Sequence, residues 1–103
     1  MTVLEVLVTP TFAKAVKKLH GKEKTAVDKA VKAIANDPAI GDEKKGDLAG
    51  IFEYKFKINK QEVLLAYQLH PTKFQPISVV LLSLGSHENF YTELKRLKSP
   101  PMP

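Results

Sequence analysis

The sequence predicts an α+β domain in the order strand, two helices, three strands, helix. Three observations predict it. From Phe52 onward the chain alternates: Phe52, Tyr54, Phe56 and Ile58 fall on one side, and Glu53, Lys55 and Lys57 on the other. That period of two belongs to a strand with one covered and one wet face. Two nearly continuous apolar runs follow, Glu62 to Leu69 and Ile77 to Leu84, as expected for strands covered on both faces. Between Pro10 and Asn36, apolar residues instead recur at helical spacing. Short turns join the last three strands, so they should run antiparallel, with the helical pair packed on one sheet face.

In chain order, Leu4, Val6 and Val8 alternate with the mixed set Val3, Glu5, Leu7 and Thr9, which makes the first strand. Thr9-Pro10 reads as an N-cap followed by proline at the first helical position. Phe12, Val16 and Leu19 form the stripe of the first helix, and His20-Gly21 is read as its stop. A second helix is expected from about Lys22 to Asn36, with Val27, Ala30, Val31 and Ile34 facing inward and Asp37-Pro38 closing it. Ala39 to Lys45 is polar and reads as a loop; Leu48 anchors it, and Gly50 permits the turn into the second strand. Asn59-Lys60-Gln61 and His70-Pro71-Thr72-Lys73 mark the next two turns. Gly85 ends the fourth strand. Ser86 can cap a last helix on which Phe90, Leu94 and Leu97 share a face. Residues 1–98 are expected to form a single domain, and residues 99–103, rich in proline, a flexible tail.

The 103 residues suffice for one modest core. The absence of cysteine excludes a disulfide scaffold or a cysteine-based zinc site and is compatible with a reducing compartment. The apolar start, MTVLEVLVTP, is short, carries Glu5 and lacks a basic leader. No run approaches a membrane span. These features together predict a cytoplasmic protein without membrane association. The net charge of +5 favours an acidic or polyanionic partner. Of sixteen basic side chains only Arg96 is arginine, which argues against a sequence-reading DNA module, where bidentate arginine contacts dominate.

Two stretches carry candidate chemistry. On the wet side of the second strand, Lys55 and Lys57 project the same way, roughly 7 Å apart at about 3.3 Å per residue. Repulsion between them favours the neutral amine of one. Solubilising lysines on a solvated face would account for that stretch taken by itself. The second stretch, Gly85-Ser86-His87-Glu88-Asn89-Phe90-Tyr91, lies where a strand gives way to an expected helix. Amides at a helix start attract anions, and His87 exchanges protons near neutral pH. Tyr91 follows one turn later and could stack on a base. His20 and His70 lack such company and read as structural. No His/Asp/Glu cluster has metal-ligand spacing.

This layout, with GDLAGIFEYKFKI, EVLLAYQL and GSHENFY, resembles the RelE/ParE superfamily of bacterial toxin–antitoxin toxins from Leu4 to Lys98. The resemblance implies the RelE-like order β-α-α-β-β-β-α. It implies ribosome-dependent, metal-free cleavage of mRNA without a cofactor, and a cognate antitoxin that wraps the toxin in a hetero-oligomer. Tyr54-Lys55-Phe56-Lys57 is similar to the strand bearing paired catalytic lysines in RelE-type endoribonucleases. His87 with Phe90-Tyr91 is similar to the C-terminal site of RelE-like and YafQ-like members. The catalytic set so implied is Lys55, Lys57, His87 and Tyr91. The implied RNA contacts are Lys44, Lys45, Ser86, Asn89, Phe90 and Arg96. Two departures stand out: Leu64 occupies the place of a phosphate-binding arginine, and the third strand lacks the histidine of the YafQ branch. ParE-type members poison gyrase rather than cut RNA, so that reading stays open, as does a basic binding module without catalysis.

Overall fold

The computed structural model describes residues 4–85. In chain order it contains β1 (Glu5–Val8), α1 (Pro10–Lys17), α2 (Gly21–Asn36), β2 (Asp42–Glu43), a single 3-10 turn (Gly46–Leu48), β3 (Ile51–Ile58), β4 (Gln61–His70) and β5 (Ser78–Gly85). The expected last helix and the proline-rich tail lie outside the described residues.

The five strands form one sheet in the order β1-β5-β4-β3-β2. The two hairpins are antiparallel as expected, and β1 joins the far edge parallel to β5. β2 is absent from the sequence reading, which has a loop there. It is two residues long and pairs with Phe52 and Glu53 through Asp42 and Glu43. Two polar residues carry no periodicity, so their pairing depends on the partner strand alone. β2 stops at that point, leaving Tyr54–Ile58 of β3 as an open edge among the described residues.

Thr9 opens α1 as its chemistry predicts. Its hydroxyl accepts from the Phe12 amide at 3.2 Å and donates to the carbonyls of Leu81 and Leu82 at 2.9 and 3.1 Å. This links the helix start to a β-bulge, where the β4–β5 register shifts between Ala66 and Tyr67. Such bulges bend a strand and re-aim side chains. The next boundary differs from expectation. α1 ends at Lys17, and Gly21 begins α2 rather than stopping α1. His20 is the N-cap of α2, and Glu23, one turn in, accepts its amide proton at 2.9 Å. That contact satisfies one of the orphan groups at the chain's re-entry into helix.

Both helices lie on one sheet face, α1 against β5 and α2 against β3. Phe12, Val27, Ala30 and Ile34 meet Phe52, Ile58, Leu65, Tyr67, Leu69, Val79, Leu81 and Leu84 in the main core. A smaller apolar cluster sits on the opposite face, made of Leu48, Ile51, Leu64, Ala66 and Leu82. β4 is therefore buried on both sides through Leu64–Tyr67, which explains its unbroken apolar run. The loop after α2 is held down by Tyr67. Its hydroxyl donates to the Pro38 carbonyl at 2.7 Å and accepts from the Gly41 amide at 3.0 Å. Gly41 is obligatory here by proximity, since a β-carbon would stand 2.7 Å from that hydroxyl and 2.9 Å from the Glu53 carbonyl.

Candidate functional site

On the face away from the helices, β-sheet register sets side chains in rows. One row runs Asp42, Glu53, Ala66, Ser83; the next runs Lys55, Leu64, Gly85. Lys57 stands cross-strand from Glu62. The alternation read from the sequence thus places Lys55 and Lys57 on one face, and both are exposed. Glu53 does not share that exposure. It was expected on the wet side, and its side chain is only 3% exposed. Its carboxylate lies 3.6 Å from Lys44 Nζ and 3.9 Å from Lys55 Nζ. A buried carboxylate is retained where charge partners hold it. Glu53 therefore organises two lysines rather than standing as exposed charge on the wet face.

Lys44 and Lys55, predicted from different segments, are brought together through this one acid. Lys44 is 27% exposed and Lys55 54% exposed, so both ammonium groups still reach solvent. Lys45 is exposed and precedes the 3-10 turn, and among the described residues no ion pair draws it to Glu53. Leu64, at the place of the missing arginine, is fully buried directly across from Lys55. The side chain next to Lys55 in that row is therefore apolar and out of reach of solvent. Ser86, His87, Asn89, Phe90, Tyr91 and Arg96 lie outside the described residues. The described chain does end at Gly85, in the cross-sheet row of Lys55 and two strands away from it.

A second acid fixes the edge of this face. Glu43 accepts from Lys73 Nζ at 2.8 Å and from the Gly50 amide at 3.2 Å. The hydrogen bond from Lys73 holds its carboxyl below the usual carboxylate range. Glu43 thereby ties β2 to the loop after β4. The sequence reading puts Glu53 on the wet face and gives Glu43 no role; the structure buries the first and pairs the second. The signal for Glu53 was the acid embedded between an apolar start and two lysines; nothing local marked Glu43. Among the described residues, no group of three or more His, Asp or Glu could hold a metal ion. No helix among them is long and apolar enough to cross a membrane.

Several solved structures share this architecture. The free E. coli toxin RelE, as an arginine-substituted mutant, superposes with a TM-score of 0.72 at 17% identity, covering 93% of this chain and 98% of that one. The RelBE2 toxin–antitoxin complex of Mycobacterium tuberculosis gives 0.68 at 22% identity, over 84% of this chain and 100% of the other. The YoeB dimer of Staphylococcus aureus gives 0.61 at 18% identity, over 84% and 99%. Identities this low establish the fold and nothing further. No curated protein matches the sequence. A family model does, described as ParE-like toxin of type II bacterial toxin–antitoxin system, and it spans residues 6–95. By that match over most of its length, the chain belongs to the ParE-like toxins of type II bacterial toxin–antitoxin systems.

Proposed function

We propose that this toxin is a metal-independent endoribonuclease that cuts mRNA on the ribosome in the cytoplasm, and that a cognate antitoxin binds and neutralises it. The observation that carries the reading is Lys55. It is an exposed lysine beside the buried Leu64, paired with the buried Glu53 and in the same row as the end of β5. His87 follows Gly85 by two residues. Similarity of fold to RelE and YoeB supports the reading, as does the M. tuberculosis RelBE2 relative, which is a toxin–antitoxin complex.

The reaction follows RNA's own chemistry. The ribose 2′ oxygen attacks the adjacent phosphorus as its proton passes to a base. The bond to the 5′ oxygen breaks as that oxygen takes a proton from an acid. The products are a cyclic phosphate and a 5′-hydroxyl. Lys57 is assigned as base and Lys55, anchored by Glu53, as the cation that steadies the phosphorane charge. His87 is assigned as the acid, and Tyr91 stacks on the nucleotide. Lys44, Lys45, Ser86, Asn89, Phe90 and Arg96 are assigned to the RNA backbone and flanking bases. Each proton transfer is typically worth about 10²–10⁴-fold, and oriented charge a comparable factor.

Cleavage of mRNA on translating ribosomes is the test. Lys55→Ala and His87→Ala should each lower the single-turnover rate by about 10²-fold or more while antitoxin co-purification persists. Full cleavage by both variants would overturn the assignment. The family's ParE name favours one second reading, inhibition of DNA gyrase. Gyrase supercoiling blocked by the wild type and by both variants alike, without mRNA cleavage, would establish that reading instead. A chain that cuts nothing and leaves gyrase untouched, yet binds antitoxin, would be a basic binding module.

A further inference from the structure

A groove of about 390 Å³ lies on the other side of β3 from the Lys55–Glu53 pair, between α2 and the edge that β2 leaves open. Lys22 and Lys29 stand seven residues apart on one face of α2, about 10 Å along its axis. Lys57 reaches the same groove from the strand edge, and Thr25 adds a hydroxyl between the two helical lysines. Its floor contains Tyr54 and Phe56, both half-buried, whose rings lie 6.0 Å apart and within 21° of parallel. No carboxylate lines it among the described residues. A chain with eleven acids to sixteen basic residues therefore concentrates three cations, with no acid, around two near-parallel rings.

We propose that this groove binds a single-stranded nucleic acid, its bases against Tyr54 and Phe56 and its phosphates along Lys22, Lys29 and Lys57. Single-strand binders combine a cationic track with aromatic faces, since every base offers a planar ring to stack on. An acidic peptide would answer the lysines, but its carboxylates carry no aromatic face, whereas every nucleotide joins a phosphate to a stacking ring. Lysine suits contact with a flexible backbone, where bidentate geometry is not required. Lys57 belongs to both surfaces at the open edge of β3, so one strand could pass from the groove around that edge to the lysine face. Binding in the groove does not depend on cleavage. It shares its ligand class with the proposed activity, and either can fail without the other.

Fluorescence anisotropy of a labelled short oligouridine with the full chain tests it. The same length of oligothymidine assigns the sugar, binding of either polymer supporting the proposal. Two substitutions on exposed helix positions, Lys22→Gln with Lys29→Gln, remove the helical half of the track. Lys14→Gln with Lys17→Gln removes equal charge from α1, away from the groove. The first pair should weaken binding at least about fivefold at about 50 mM salt and make the salt slope shallower by about 1.4. The α1 pair should leave that slope nearly unchanged. An abasic strand of equal length should bind at least about fivefold more weakly than oligouridine, because stacking is lost. Equal losses from the two lysine pairs would reduce the effect to net charge and overturn the site. Equal affinity for the abasic strand would overturn the role of the rings. Tighter binding of a short polyglutamate than of either oligonucleotide would hand the groove to an acidic peptide. Ribosomal mRNA cleavage, assayed separately on the same variants, reports on the proposed activity and not on the groove.

Discussion

The two faces of β3 are built from the same eight residues on opposite principles. Toward the helices, Phe52, Tyr54, Phe56 and Ile58 join one apolar core with α1 and α2. Away from them, Ile51 enters a smaller apolar cluster, and the next three positions carry an acid and two lysines. Hydrophobic packing secures the first face without a charged pair. The second depends on Glu53, a charge taken out of water and balanced by Lys44 and Lys55. A strand's alternation assigns residues to faces, but the face with least apolar cover is the one free to carry chemistry.

The largest expected effect tests the covered face. Ile34 is wholly buried between α2 and the sheet. Ile34→Ala should lower stability by about 2–5 kcal/mol, read from urea unfolding. The rate of mRNA cleavage by the remaining folded fraction should stay unchanged. A loss below about 1 kcal/mol would show that the helices contribute little, and the contrast between faces would fail.

Tyr67 sharpens the contrast, because it adds a polar lock to the covered side. Tyr67→Phe leaves the Pro38 carbonyl and the Gly41 amide without their partner. The expected loss is about 1–3 kcal/mol. Burial, the first cause, pushes the phenol up to about 12. A raised folded value means the folded state favours the neutral phenol. Its stabilisation is complete below the unfolded value of about 10 and is lost as pH rises from there through about 12. Thermal melts across that window should fall more steeply for the wild type than for Tyr67→Phe. Parallel curves would mean that Tyr67 titrates as freely as in the unfolded chain.

Glu53→Gln addresses the other face. The lysines it pairs with keep access to water, so an uncompensated charge can turn outward, and stability should drop by only about 1–2 kcal/mol. Cleavage should fall further than that loss explains, and a cycle with Lys55→Ala should show strong non-additivity. Independent effects of the two substitutions would sever Glu53 from the lysine it touches.

What was legible followed from local periodicity. The helical stripes, the three long strands, the Thr9 cap and the double-sided cover of β4 all announce themselves in residue spacing. The unread features depend on partners remote in sequence. β2 exists because Glu53 and Phe52 lie beside it. The burial of Glu53 depends on what stands over its face, which alternation cannot say. Gly21 misled because glycine suits the end of one helix and tolerates the start of the next, and only the His20–Glu23 contact decides between them. At the candidate site, alternation puts Lys55 and Lys57 on one face, as the structure has them, whereas no local pattern relates Lys44 to either. The acid joining Lys44 to Lys55 is not legible as such, because its two partners come from separate segments.

The smallest expected effect lies at the hairpin tip, where the two faces meet. Asn59 and Lys60 both adopt positive φ, 51° and 69°, in the two-residue turn between β3 and β4. This turn suits the right-handed twist of paired strands and favours Asn followed by Gly. Asn59 meets that preference, and Lys60 does not, since a β-carbon at positive φ is strained. Glycine at position 60 would relieve that strain but loosen the unfolded chain, and the two effects oppose each other. Strain relief should prevail, so Lys60→Gly should raise stability by about 0.5–1 kcal/mol. The substitution also removes a cation close to Lys57 in sequence. If Lys60 is there only as a turn residue, mRNA cleavage and oligonucleotide binding should both hold at the wild-type level while the melting temperature rises. If cleavage or binding drops in the more stable variant, the charged side of the hairpin extends to its tip, and the strain at Lys60 is kept for its charge.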